Sequence, residues 1–258
     1  MTHSTEDKPS TPPTLDPSDP AFSPSTPRTL EPSNPALPPS NPALPPSDPA
    51  LPPSNPALSP SNPDLLCIRP FCKPEEIRRY TFDGQFGMHA QYTSLYTKKE
   101  SLENNTSQEN ANVTLALEGE NIVGFGVLNH PEEGDRWQEM VPGLMMEVKA
   151  IEICRRFRSN GIAGRILELL MNSPAVEDMI VYMVGYSWTW DLDGTAKSAL
   201  AYRKMLIRLF EPFGFQEFQT NEPNICLKPE NLFMARIGQR VSNENQNIFK
   251  WLRFGVSP

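Results

Sequence analysis

The chain has 258 residues and a formal charge of −8, so it carries no basic field for nucleic acid, and no apolar run approaches the ~20 residues that span a bilayer. The first residues, "MTHSTEDKPSTPP", lack the charged start and apolar stretch of a secretory signal, which makes the cytoplasm the expected location. Cys67, Cys72, Cys154 and Cys226 are irregularly spaced with no histidine pair beside them, so they read as free thiols with no metal site.

Prolines divide the chain. Twenty of the 29 precede Asp64, which leaves the foldable part as roughly residues 64–258. From Pro32 the tail repeats every seven residues: "PSNPALP", "PSNPALP", "PSDPALP", "PSNPALS", "PSNPDLL". A heptad invites a coiled-coil reading, but two or three prolines per copy remove amide donors and break helices. Asn-Pro and Asp-Pro push the preceding residue out of the α region as well. One Leu and one Ala per copy cannot offset the entropy of ordering the segment. Residues 1–63 are therefore expected to be a disordered spacer with polyproline II character.

The elements then follow in chain order. "KPEEIRRYTFDGQF" has Pro74 suited to a first helical position and acids in the first turn, which predicts a helix over 74–82. A second short helix ending in a polar loop is expected from "QYTSLYTKKESLENNTSQENAN". "VTLALEGENIVGFGVLNH" reads as a hairpin turning at Glu118-Gly119-Glu120-Asn121. "LMMEVKAIEIC", 144–154, is a strand whose alternation slips near Lys149 and Ala150, which suggests a bulge.

A helix follows over 162–171, then a buried strand, "DMIVYMVGY", and a long helix over 195–210. "FGFQEFQT" is a strand, "NEPNICLKPEN" a loop, "LFMARIG" a strand, and 243–253 a closing helix. That order predicts an α/β (α+β) domain with a mixed central sheet.

The junction "RRFRSNGIAGRILELLM" carries the chemistry. A strand runs into it and a helix starts inside it, and a first helical turn has unpaired amides and a partial positive charge. Gly161 and Ala163 leave the backbone approachable. Amides of Asn160, Gly161, Ile162, Ala163 and Gly164 can line up on a phosphate, with Arg155, Arg156 and Arg158 adding charge. A P-loop needs Lys followed by Ser or Thr, and a dinucleotide fingerprint needs three glycines; neither is present. On these residues alone, a plain surface turn with basic residues reads equally well.

Arg158-x-x-Gly161-x-Ala163 between strand and helix resembles the coenzyme A loop of the GNAT N-acetyltransferase superfamily. A narrower likeness runs through 130–254. "RWQEM", "AIEI", "YSWTWDLDG", "YRKM", "NEP", "FMARIG" and "LRF" together resemble the AcuA family of GNAT proteins named for acetoin utilisation. The resemblance implies a GNAT-like sheet flanked by helices, acetyl-CoA as donor and a protein lysine as acceptor, with acetyl-CoA synthetase the suspected target. It also implies that Ile153, Cys154, Arg155, Arg158, Ser159, Asn160, Gly161, Ile162, Ala163, Gly164 and Arg165 surround the coenzyme. A backbone amide near Ile153 or Cys154 would face the oxyanion.

Transfer to lysine requires a base, because a free ammonium has a pKa near 10.4. Glu147 is favoured and Glu152 is second. Five residues apart, they lie on opposite faces of a regular strand, and a bulge at 149 and 150 would bring them to one. Many GNATs have a tyrosine acid where this chain has Phe210, which leaves Tyr202 and Tyr186 as substitutes. Trp188, Trp190 and Asp191 are expected to shape the acceptor groove, or else to serve as core and cap. Arg236 is read either as an acceptor contact or as an internal ion pair. Two alternatives remain open, a small-amine acetyltransferase and an idle acyl-CoA sensor. A hydrolase is disfavoured, since His3, His89 and His130 are scattered away from any nucleophile.

Overall fold

The structure is a computed structural model that describes residues 66–87, 96, 98–138 and 142–256. The proline-rich heptads and the boundary expected at 63 lie outside the described residues. Within them, eight strands form one sheet: β1 (Leu66–Arg69), β2 (Thr81–Phe82), β3 (Asn112–Glu118), β4 (Asn121–Asn129), β5 (Met145–Ile153), β6 (Ile180–Gly185), β7 (Gln216–Glu217) and β8 (Leu232–Ile237). Their order is β1-β3-β4-β5-β6-β8-β7, with β2 beside the start of β4. Pairing is antiparallel except β2–β4 and β5–β6, so the mixed sheet flanked by helices is present as expected.

The helices are α1 (Pro74–Ile77), α2 (Lys99–Asn104), α3 (Ile162–Met171), α4 (Leu192–Thr195), α5 (Ala199–Phe210), α6 (Pro223–Cys226) and α7 (Asn243–Leu252). α3 buries Ile162, Ile166, Leu167 and Leu170 against one sheet face. Gly126 of β4 makes room for it. A methyl group there would lie 2.4 Å from Ile166 Cγ2 and 2.9 Å from Leu170 Cδ1. On the opposite face, Trp137 stacks on Phe233 at 4.6 Å, and α7 adds Phe249 and Leu252 to the same cluster.

Four expectations change. The helix at 74–82 stops at Ile77, because Thr81 and Asp83 donate instead to the carbonyls of Glu120 and Ile122, drawing 81–82 out as a strand. The helix at 195–210 begins at Ala199: Ala196 turns left-handed (φ 50°), and the Ser198 hydroxyl caps the new start by accepting from the Ala201 amide. The loop at 221–231 contains α6, capped by Glu222. β1 went unpredicted, since "LCIR" begins on the last residue of the proline repeats and is too short to show a period.

The predicted bulge is present. Val127 pairs with Ala150 and Leu128 with Val148, leaving Lys149 as the extra residue. Bulges sharpen local twist, and β5 then parts from β6. Their parallel pairing covers only Met145–Glu147 against Ile180–Tyr182. Beyond it, β5 follows β4 to Ile153 and β6 follows β8 to Gly185, so the sheet opens as a wedge.

Gly126→Ala should lower stability by about 1–3 kcal/mol, because Ile166 and Leu170 are fully buried and cannot swing clear. Urea unfolding monitored by circular dichroism checks it, and an unchanged midpoint would contradict the close packing.

Candidate active site

The wedge is a cleft of about 540 Å³ whose walls include Val148–Ile153, Met183–Gly185, the turn at 157–164, and α5 from Tyr202 to Phe210. That volume suits one organic ligand. Its β5 wall offers backbone. The Cys154 amide donates to the Val123 carbonyl at 2.9 Å, so the Cys154 amide points toward β4. Bonded and non-bonded pairs alternate, and Ile151 and Ile153 therefore turn their peptide groups away from β4, into the wedge.

At one end of the cleft sits the α3 N-terminus. The first intrahelical bond there runs from the Arg165 amide to the Gly161 carbonyl, so the amides of Ile162, Ala163 and Gly164 precede the helical ladder. Ser159 (φ 66°) and Gly161 (φ 72°) are both left-handed, which curls successive amides into a concavity suited to an anion. Methyl groups added at Gly161 or Gly164 would meet nothing within 4 Å, so the backbone is approachable from the cleft. The Asn160 side chain tightens the turn by donating to the Phe157 carbonyl at 3.2 Å. Lys197, exposed on the far wall, adds a cation that sequence reasoning missed, because no motif spacing pointed to it.

The arginines do not point freely into the mouth. Arg155 grips Asp191 with two bonds of 2.8 and 2.5 Å, and Arg158 reaches the same carboxylate at 2.6 Å while its Nε donates to the Ile153 carbonyl at 2.9 Å. Arg156 turns away to Asp83 and Glu118. Asp191 also accepts from the Gly194 amide at 3.0 Å, capping α4. Its side chain is only 1% exposed. Burial opposes its charge, but the bonds from Arg155 and Arg158 outweigh that and hold the carboxyl well below the usual carboxylate range. Asp191 therefore ties the loop after β6 to the turn after β5, and as a buried tie it is not placed to receive an acceptor amine. Arg165 is exposed on α3 outside the cleft lining.

Cys154 also departs from expectation. Its amide is used by Val123, and its thiol is buried, pushed up to about 12 first by burial and then by Asp83. That leaves Ile153 as the cleft-facing amide of the two.

The glutamates sit on the other face. Glu152 opposes Phe125 and Glu147 opposes Asn129, and those partners are four apart on a regular stretch of β4. The bulge thus puts both carboxyls on one face, opposite α3. Glu152 lines the cleft, whereas Glu147 stands at its closed end, opposite Tyr182. Burial pushes Glu147 up to about 7; Lys149 pulls it back, and Asp135 and Glu132 raise it further. Tyr96, absent from the sequence reading, packs edge-on to Phe125. Its hydroxyl is pushed up to about 12 by burial, then by Glu147, with Glu132 and Glu152 adding.

The remaining candidates separate. Tyr202 lines the cleft and stacks on Trp190 at 5.0 Å; burial raises its hydroxyl. Trp190 is itself a core residue beside Gly185. Tyr186 stacks on the exposed Trp188 at 4.7 Å outside the cleft lining, with its hydroxyl pushed up to about 12 by burial. Phe210 packs edge-on to Phe215. Arg236 pairs with Glu177, which resolves its role as an internal ion pair.

Comparison with known proteins gives the following matches. Acetoin utilization protein AcuA of Bacillus licheniformis is 31% identical over 181 residues, spanning 70% of this chain and 85% of the relative. AcuA of Bacillus subtilis is 31% identical over 184 residues, with the same two coverages of 70% and 85%. The crystal structure of an acetoin utilization protein from Exiguobacterium sibiricum superposes with a TM-score of 0.67 at 29% identity, covering 73% of this chain and 88% of that one. No family model matches the chain.

Asp191→Asn should cost about 1–3 kcal/mol of stability. Breaking a fully buried ion pair costs about 3–5 kcal/mol, and the partial exposure of Arg155 and Arg158 reduces that here. Guanidinium unfolding measures it, and a variant as stable as the parent would show that the tie does nothing.

Proposed function

The chain belongs to the AcuA family of acetoin utilization proteins, and from that premise we propose that it is an N-acetyltransferase that carries an acetyl group from acetyl-CoA to a lysine of a protein acceptor. The acceptor in this reading is an acetyl-CoA synthetase, which places the chain in the control of acetate and acetoin metabolism. One observation supports the reading most. The wedge joins an anion-ready helix start on one sheet face to two carboxylates on the other. A long anionic thioester donor and a cationic amine acceptor need such a passage between them, each approaching from its own side.

The residues divide the work accordingly. Amides of Ile162, Ala163 and Gly164 hold the pyrophosphate, with Gly161 and Ser159 shaping the turn and Lys197 contributing charge. Peptide groups of Ile151 and Ile153 hold the donor's arm in extended form, and the Ile153 amide faces the oxyanion that develops at the thioester carbon. Glu147 accepts the proton of the acceptor ammonium. A carboxyl with a pKa near 7 is matched to that task near neutrality. Glu152 and Tyr96, on the same face, keep the acceptor side polar. The departing thiolate is stable enough to leave without a protein acid. Tyr202 brings a phenol hydroxyl to the cleft lining, but its stacking on Trp190 favours a packing role.

Three outcomes are expected. Full-length protein mixed with acetyl-CoA and an acetyl-CoA synthetase should leave acetyl-lysine on the synthetase, read by mass spectrometry. Label on free amines alone would favour a small-amine enzyme, and coenzyme binding without transfer would favour a sensor. Glu147→Gln should lower kcat at least about a hundredfold while calorimetric binding of acetyl-CoA persists. In the parent, kcat should fall as pH drops below about 7, because a protonated Glu147 cannot take a proton. That acid limb should vanish in the variant, and its survival would remove Glu147 from the role. Gly161→Glu should abolish the heat of acetyl-CoA binding, since a carboxylate then occupies the anion position; unchanged binding would rule out the helix start.

A further inference from the structure

We infer that Lys149 is itself an acetyl acceptor, so that the chain acetylates its own Nζ within the cleft. This rests on the acetyltransferase reading above. Lys149 is the extra residue of the β5 bulge, at the point where the wedge opens. It lines the cleft, and its side chain is only 10% exposed. The other lysine in the cleft lining, Lys197, is exposed and lies on the wall opposite β5. Lys149 thus supplies an amine on the same strand segment as both glutamates.

The geometry favours reaction over a purely structural role. The Lys149 ammonium pairs with Glu132 at 3.3 Å, and Glu132 is 81% exposed. The Glu132 end of the pair stands in solvent, so the pair can open, and the four-carbon stem of Lys149 gives Nζ reach along the cleft. Lys149 also stands two residues from the proposed base on β5, and its charge draws the Glu147 carboxyl down.

The step balances. One proton of the ammonium passes to the Glu147 carboxylate. The freed Nζ lone pair forms a bond to the thioester carbonyl carbon, facing the Ile153 amide. The carbon–sulfur bond breaks, its electron pair leaves on sulfur, the nitrogen sheds its second proton to the departing thiolate directly or through solvent, and Glu147 returns the first proton to solvent. The products are Nζ-acetyl-Lys149 and free coenzyme A. The acetylated side chain loses its charge and its pairing with Glu132, and it remains on the acceptor side of the cleft.

The test incubates the full chain with trideuterated acetyl-CoA, with and without an acceptor protein, and maps label by peptide mass spectrometry. Lys149 should gain label at early times at least about tenfold faster than the exposed Lys204, Lys228 and Lys250, which report uncatalysed acetylation. Its rate constant should not change with protein concentration, and Glu147→Gln should slow it toward the exposed-lysine background. Label on the acceptor with none on Lys149 overturns this inference and leaves the proposed function standing. Label nowhere above background overturns both. A Lys149 rate that rises with protein concentration overturns reaction within one chain.

Discussion

Everything in the site depends on one extra residue in one strand. Because Lys149 is unpaired against β4, the twist of β5 increases there, and the strand cannot stay in register with β6 past Glu147. Two consequences follow together. The sheet opens, which releases the peptide groups of Ile151 and Ile153 from pairing with β6. The face of β5 also shifts by one, which brings Glu147 and Glu152 to the same side. A regular strand would have closed the cleft and separated the carboxyls.

An open sheet must be held open and kept from fraying, and Asp191 does this. The two strands that part at Glu147 are rejoined beyond the cleft by Arg155 and Arg158 closing on a single buried carboxylate. The aspartate is fully partnered, by two guanidinium groups and the Gly194 amide, which is the condition under which a buried charge is tolerated. The same tie sets the position of the turn that begins α3, since Arg158 also reaches back to the Ile153 carbonyl. Both arginines that the sequence places at the mouth of the cleft are thus engaged in architecture, through Asp191.

The two sheet faces carry different duties. The α3 face is packed with aliphatic side chains around Gly126, which gives the helix start a rigid seat. The other face mixes aromatic packing, as in the Trp137, Tyr182 and Phe233 stack, with the carboxyls of Glu147 and Glu152. Burial is what lifts the Glu147 carboxyl toward neutrality, against the pull of Lys149 and of the Tyr182 hydroxyl.

Local signals were legible in the sequence: the hairpin at Gly119, the slip at Lys149 and Ala150, the apolar period of α3 and the approachable backbone at Gly161 all act within a few residues. The family likeness was legible for the same reason, since it rests on short contiguous stretches such as "YSWTWDLDG". The partners of Arg155, Arg158 and Asp191 were not, because they lie 33 to 36 residues apart and charge has no periodicity to read. Tyr96 and Lys197 were invisible for that reason too. Whether Cys154 or Ile153 turns its amide to the cleft was decided only by pairing with Val123. The sequence alone determined which residues can form strands, turns and a helix start. The tertiary structure decided which of them face one another, because hydrogen-bond register and burial exist only once distant segments meet.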